Sequence, residues 1–159
     1  MFETIIWATD GSETADRALP YATGLAEGKD KALVAVHIRE ILTGRGGGYP
    51  VYADEDELLE KIEAQVEEIR KAGIAASLKT ATAATFGPAH YVAEIAEQVD
   101  ADVIVVGTRG HGPVAGALLG SVAQRLLHDA HLPVLAVPPP KTAQVADTED
   151  ETVEAAVGV

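Results

Sequence analysis

Short apolar runs alternate with helical patterns along the whole of this chain, and that alternation restricts the fold more than any single motif. Thr4–Thr9 reads as a first strand, rich in Ile and with one Trp. Ser12 is placed to cap a helix running to about Gly28, with Glu13 and Asp16 near its positive dipole end. Ala32–Arg39 reads as a second strand and Glu40–Ala53 as a glycine-rich loop containing Gly44-Arg45-Gly46-Gly47-Gly48. Leu58, Ile62, Val66 and Ile69 recur at helical spacing, which predicts an amphipathic helix over Asp54–Ala72 ended by Gly73. Ile74–Ala81 follows as a third strand, and Pro88 opens a helix with Val92, Ile95, Ala96 and Val99 on its apolar face. Asp102–Val106 is a fourth strand, Leu119, Val122, Leu126 and Leu127 mark a fourth helix, and Pro133–Val137 is a fifth strand. Five strands joined by four helices require parallel pairing with right-handed crossovers, so the expected class is a single-domain α/β open sheet with helices on both faces.

In open parallel sheets, ligands sit beyond the strand C-termini where the strand order reverses. The first and fourth strands both end in small or turn-forming residues, Thr9-Asp10-Gly11-Ser12 and Gly107-Thr108-Arg109-Gly110, which makes them the best pair to flank that point. The second segment belongs to a longer pattern, Gly107-x2-Gly110-x9-Gly120-Ser121, set between a buried strand and a helix start. Glycines let backbone N–H groups approach a phosphate closely, and a helix N-terminus offers unpaired donors and a positive dipole end. The feature points to a nucleotide or another phosphate compound. It is not a P-loop, because no Lys precedes Ser121, and it is not a G-x-G-x-x-G fingerprint. A tight turn with a glycine for close helix packing is the competing explanation.

Composition narrows the remaining classes. The 159 residues suit one domain, and 47% of them are hydrophobic, enough for a substantial core. There is no Cys, which removes disulfides, thiolate metal sites and a Cys nucleophile. His128 and His131 lack the further ligands that zinc needs, so no metal site is expected. The formal net charge of −13 opposes binding to nucleic acid or anionic lipid. No basic segment followed by an apolar one opens the chain, and no apolar run reaches membrane-spanning length, so the expected location is cytoplasmic. After Pro138-Pro139-Pro140 the character changes: residues 142–159 carry Asp147, Glu149, Asp150, Glu151 and Glu154 and neither Lys nor Arg. The expected organisation is therefore a nucleotide-binding domain over residues 1–140 and an acidic, mobile tail over 141–159.

Residues 2–138 resemble the universal stress protein family. The resemblance rests on Gly107-x2-Gly110-x9-Gly120-Ser121, the mark of that family's ATP-binding branch. It is supported by Ala8-Thr9-Asp10-Gly11-Ser12, Val36-His37-Ile38 and Leu132-Pro133-Val134-Leu135-Ala136-Val137. The resemblance implies a Rossmann-like five-stranded parallel sheet of order 3-2-1-4-5. It also implies a role for particular residues. Gly107 and Gly110 would line ribose and phosphates, and Gly120, Ser121 and the amide of Val122 would hold the phosphate chain. Asp10, with Ala8 and Thr9, would lie against the ribose or adenine or help hold a nucleotide-bound Mg ion. Ile38 would touch adenine and Val106 would pack beside the nucleoside; Arg109 departs from the family pattern, standing where many relatives have His, and its guanidinium would offer a phosphate a charge-assisted bond. A homodimer through the short apolar last strand, Val134, Leu135, Ala136 and Val137, is implied as well, since an uncovered apolar edge invites pairing with its own copy.

These features favour an adenine-nucleotide-binding stress-response protein that acts as a homodimeric switch. The sequence does not choose between ATP and AMP or cyclic AMP. A slow ATP hydrolase on the same fold is the first alternative. The chain lacks the S-G-G-x-D-S and H-x-G-H loops of adenylating relatives, and no catalytic residue is assigned. A nucleotide-free dimeric interaction module is the second. His37 is read as a packing or hydrogen-bonding residue with no chemistry, and the Gly44–Gly48 segment as a flexible connection.

Overall fold

A computed structural model describes residues 1–44, 47–50, 53–84, 86–109 and 119–140. The chain runs β1 (Thr4–Ala8), α1 (Glu13–Ala26), β2 (Ala32–Gly44), β3 (Gly47–Pro50), α2 (Glu55–Lys71), β4 (Ala75–Ala83), α3 (Pro88–Gln98), β5 (Val103–Gly107), α4 (Ser121–Asp129) and β6 (Val134–Val137). β1 lies between β2 and β5, β4 flanks β2 and β6 flanks β5, all in parallel. Numbered by the five parallel strands alone, this is the expected 3-2-1-4-5 order. Each helix returns the chain to the same end of the sheet, so all five parallel strands finish on one side.

The strands at the centre read as continuous apolar runs because both of their faces are covered. Ile5, Trp7, Leu33, Ala35, Val103 and Val105 face α1 and α2, packing on Ala18, Ala22, Val66 and Ile69. Ile6, Ala8, Val34, Val36, Ile104 and Val106 face α3 and α4, packing on Val92, Ala96, Ala123 and Leu126. Trp7 is fully buried, and its indole N–H donates to the Ala15 carbonyl at 3.0 Å, fixing the first turn of α1 to the sheet. Ser12 caps that helix as expected, its hydroxyl accepting from the Ala15 N–H at 3.2 Å. At the opposite end of the sheet, Asp102 accepts from the N–H groups of Thr4 and Glu3 and ties the start of β5 to that of β1. Those backbone donors hold its carboxyl below the usual range.

One sequence expectation is overturned. Most of the expected loop over Glu40–Ala53 is strand: β2 continues to Gly44 and pairs with β3, with antiparallel pairs from Ile41↔Pro50 to Gly44↔Gly47. A Cβ on Gly48 would sit 2.5 Å from Ile41 Cγ2, so the glycine makes room for the Ile41 side chain across the hairpin. A glycine that marks a loop by composition is here a strand residue chosen for close approach. The acidic tail over 141–159, Gly110 and His111 lie outside the described residues. Among the described residues, no helix is long and apolar enough to cross a membrane.

Candidate functional site at the strand C-termini

Two walls meet where β1 and β5 end side by side. The first is the β1–α1 connection, whose polar groups are almost all engaged. Thr9 extends the ladder by donating its N–H to Val36 O at 2.9 Å. Its Oγ1 accepts from the Gly11 N–H at 3.1 Å, and Asp10 Oδ1 accepts from the Ser12 N–H at 2.9 Å. Gly11 needs its positive φ of 75°, and a Cβ there would meet Leu58 Cδ2 of α2 at 2.6 Å. Lys61 Nζ, also on α2, donates to the Gly11 carbonyl at 2.8 Å and to Asp16 Oδ2 at 2.5 Å. Gln65 completes the clamp, donating to Asp16 Oδ1 at 2.9 Å.

His37 and Glu55 support this wall from beneath. His37 Nδ1 lies 2.9 Å from the Thr9 carbonyl, which can only accept, so that nitrogen carries a proton. Nε2 then faces Glu55 Oε1 at 2.5 Å. Both side chains are buried, with Glu55 only 4% exposed, and Glu55 Oε2 has no hydrogen-bond partner among the described residues. Arg39 stands outside them, Nε 3.7 Å from Glu55 Oε1 and Nη2 3.3 Å from Asp56 Oδ1. The expectation that His37 is structural agrees with this geometry. Its partner was not visible in the sequence, because Glu55 sits in the run Asp54-Glu55-Asp56-Glu57, which resembles any solvated helix start.

The second wall joins the end of β5 to the start of α4. Thr108 donates its N–H to Val137 O at 2.9 Å, and its carbonyl accepts from the Gly120 N–H, which holds the two ends of the glycine pattern together. Gly120 is the N-cap of α4 and provides no side-chain cap. The first intrahelical bond runs from the Gln124 N–H to Gly120 O, so the amides of Ser121, Val122 and Ala123 have no helical acceptor. Thr108 is 5% exposed, and among the described residues its Oγ1 has no partner and the buried Arg109 Nε has none either. Thr108 was not among the sequence candidates, since a Thr between glycines carries no signal of its own. Gly107 has a further reason to be glycine: a Cβ there would stand 2.7 Å from the Thr14 carbonyl oxygen in α1. The packing explanation for a glycine in this pattern therefore holds at this position.

Ala8, Ile38 and Val106 are buried in the core cluster on the α3 side of the sheet. The remaining expected residue, Gly110, lies outside the described set. Glu40, two residues beyond Ile38 on β2, is partly buried; burial, then the charges of Asp10 and Glu55, hold its carboxyl above the usual range. Among the described residues, no group of three or more His, Asp or Glu side chains could hold a metal ion. Two cavities lie away from this crevice. One, of about 570 Å³, sits between α1 and α2, and one of about 340 Å³ lies by the β2–β3 hairpin.

An open parallel sheet covered by helices on both faces, with a helix start at its switch point, defines a doubly wound α/β protein. The comparisons make the family specific: the universal stress protein family model matches residues 1–138, and the chain belongs to that family. It is 31% identical to a universal stress protein of Methanocaldococcus jannaschii, over 89% of this chain and 85% of the relative. It is 34% identical to one of Thermus aquaticus, over 86% and 99%. Among solved structures, a universal stress protein of Archaeoglobus fulgidus matches with a TM-score of 0.66 at 27% identity, covering 86% of this chain and 98% of that one. Another, in complex with cAMP, matches with a TM-score of 0.59 at 26% identity, covering 86% and 97%.

Proposed function

We propose that this chain binds an adenine nucleotide, ATP, between the β1–α1 loop and the start of α4, and works as a cytoplasmic homodimeric regulator rather than as an efficient enzyme. The observation that carries the reading is the β5–α4 wall. It combines a buried Thr108 hydroxyl that has no partner among the described residues and a helix start with no side-chain cap. Gly120 places no side chain over those amides. Such a surface suits a phosphate chain, with Gly120, Ser121 and Val122 as its cradle and Arg109 as a charge beside it. Ala8, Ile38 and Val106 offer the apolar surface that a purine needs. The structural relative in complex with cAMP, at 26% identity, supports an adenine nucleotide as the ligand class. Mg would arrive with the ATP, and Asp10 would be the carboxylate to assist it.

The dimer reading rests on β6. This four-residue strand pairs only with β5 among the described residues, and Leu135 is 38% exposed on it. The test of ligand binding is calorimetric titration of the full chain with ATP and Mg²⁺. Binding at micromolar to submillimolar concentration, lost in Gly120→Val with the fold intact, is expected. No heat and no thermal shift at millimolar ATP would overturn the reading.

A further inference from the structure

The turn after β1 has to be glycine, and a glycine has to be held. Gly11 takes a positive φ of 75°, and a Cβ on it would stand 2.6 Å from Leu58 Cδ2, so a side chain has no room there. Glycine places little restraint on its own backbone. The hydrogen bonds within the turn, from the Gly11 N–H to Thr9 Oγ1 and from the Ser12 N–H to Asp10 Oδ1, each join residues 2 apart. They shape the turn and do not tie it to the rest of the molecule. Lys61 does, from 50 residues away, by donating to the Gly11 carbonyl at 2.8 Å.

Lys61 is itself held. Its ammonium also donates to Asp16 Oδ2, and the other oxygen of that carboxylate accepts from Gln65 Nε2. Both Asp16 oxygens are thus engaged, and the ammonium directs two of its three N–H donors at fixed acceptors. Leu58, Lys61 and Gln65 recur at helical spacing, so a single face of α2 lies along the turn and the start of α1. The ion pair by itself contributes little to folding, because the Lys61 side chain is 42% exposed and that of Asp16 29%. What its geometry does is place the turn. Without the ammonium, the Gly11 carbonyl loses its long-range partner and the Gly11–Ser12 peptide is free to rotate, carrying Asp10 with it.

We propose that Lys61 is a positioning residue of the nucleotide crevice: held by Asp16, which Gln65 steadies, it fixes the Gly11 carbonyl and so keeps the β1–α1 turn, Asp10 included, in the form that receives the nucleoside. This rests on the nucleotide reading above and assigns the shape of its first wall to α2.

The experiment uses the full chain as parent and as Lys61→Met, which keeps the apolar stem and loses the ammonium. Lys61→Arg restores a charged donor, and Lys79→Met removes the same charge from β4. Circular dichroism checks the fold of each. Amide hydrogen exchange followed by NMR, without ligand, reads the turn, and calorimetric titration with ATP and Mg²⁺ reads the crevice. In Lys61→Met the Gly11 and Ser12 amides should exchange about tenfold faster and ATP should bind about tenfold more weakly, the scale of a hydrogen bond to a charged group. Lys61→Arg should recover most of both, and Lys79→Met should match the parent. Gln65→Ala, which loosens Asp16 behind the ammonium, should shift both readouts in the same direction by less, and it serves if Lys61→Met does not fold. Unchanged exchange of the two amides, unchanged ATP affinity, or an equal loss of affinity in Lys79→Met would overturn the assignment while nucleotide binding stands. A parent that binds no ATP would overturn the nucleotide reading and this one with it.

Discussion

Gly107→Ala separates the two reasons for a glycine at the end of β5. The added Cβ would lie 2.7 Å from Thr14 O, 2.9 Å from Thr14 C and 3.0 Å from Thr14 Cγ2. Two of these are backbone atoms of the first turn of α1, so no rotamer change clears them. To reach an ordinary contact of 3.4 Å, that turn must retreat by about 0.7 Å. The same turn carries the Ser12 cap and accepts the Trp7 indole hydrogen bond through Ala15, so the retreat disturbs both. Overpacking of this kind costs about 1–3 kcal/mol, and for a chain of this size each kcal/mol lowers Tm by about 2–4 °C. A fall of roughly 2–12 °C in ligand-free protein is expected. Trp7 is the only tryptophan and lies at the disturbed contact, so its fluorescence during urea unfolding reports the loss directly. Gly24→Ala is the control: it lies in the same helix with nothing within 4 Å of the new Cβ, and should stabilise by about 0.5–1 kcal/mol. An unchanged unfolding midpoint for Gly107→Ala, with loss of ATP binding alone, would refute the packing argument and return this glycine to the ligand.

Two further outcomes follow from the geometry. His37→Ala leaves the buried Glu55 with only the half-exposed Arg39 beside it and should cost about 3–5 kcal/mol, the penalty for breaking a buried ionic pair. Replacing both residues by Leu should recover part of that loss, and strictly additive urea-unfolding energies in a double-mutant cycle would show that the two side chains do not act as a unit. Leu135→Lys places a charge on the exposed edge of β6 and should convert the expected dimer to monomer in sedimentation at micromolar concentration. A parent protein that sediments as a monomer would remove the edge-pairing proposal.

The parallel core was legible because burial on both faces leaves a strong trace. Ile5-Ile6-Trp7 and Val103-Ile104-Val105-Val106 are unbroken apolar runs, and every one of these residues is buried. The α2 pattern was equally readable, since Leu58, Ile62, Val66 and Ile69 all face the sheet. The hairpin was not legible, because what stabilises it is a distance between Ile41 and Gly48, and composition records only the glycines. The His37–Glu55 pair was hidden for a related reason. Four consecutive acids at a helix start look alike until the fold turns one inward beneath β2. At Gly107 the sequence motif suggested phosphate contact, whereas the nearest atoms belong to Thr14. A glycine motif records that space is needed, not what fills it.

The two walls differ in how much of their hydrogen bonding is already satisfied, and that difference orders the binding energetics. In the β1–α1 loop, the Gly11 and Ser12 N–H groups are spent on Thr9 and Asp10, and the Gly11 carbonyl on Lys61. The loop is therefore formed before any ligand arrives, and it contributes shape and negative charge rather than donors. The β5–α4 wall keeps its donors: Thr108 Oγ1, Arg109 Nε and the opening amides of α4. Under the proposed reading, phosphates gain nearly all their hydrogen bonds from this second wall. Removing phosphates from the ligand should then weaken contacts there and leave those of the nucleoside unchanged. Ordering costs fall on the same side, because the satisfied wall has little freedom left to lose. A ligand that binds in this way changes the β5–α4 side most. Thr108 is tied to Val137 there, at the end of the same short strand that forms the exposed edge of the sheet. That direct backbone bond is the shortest structural route from an occupied crevice to β6, and it places the proposed ligand and the proposed dimer edge one hydrogen bond apart.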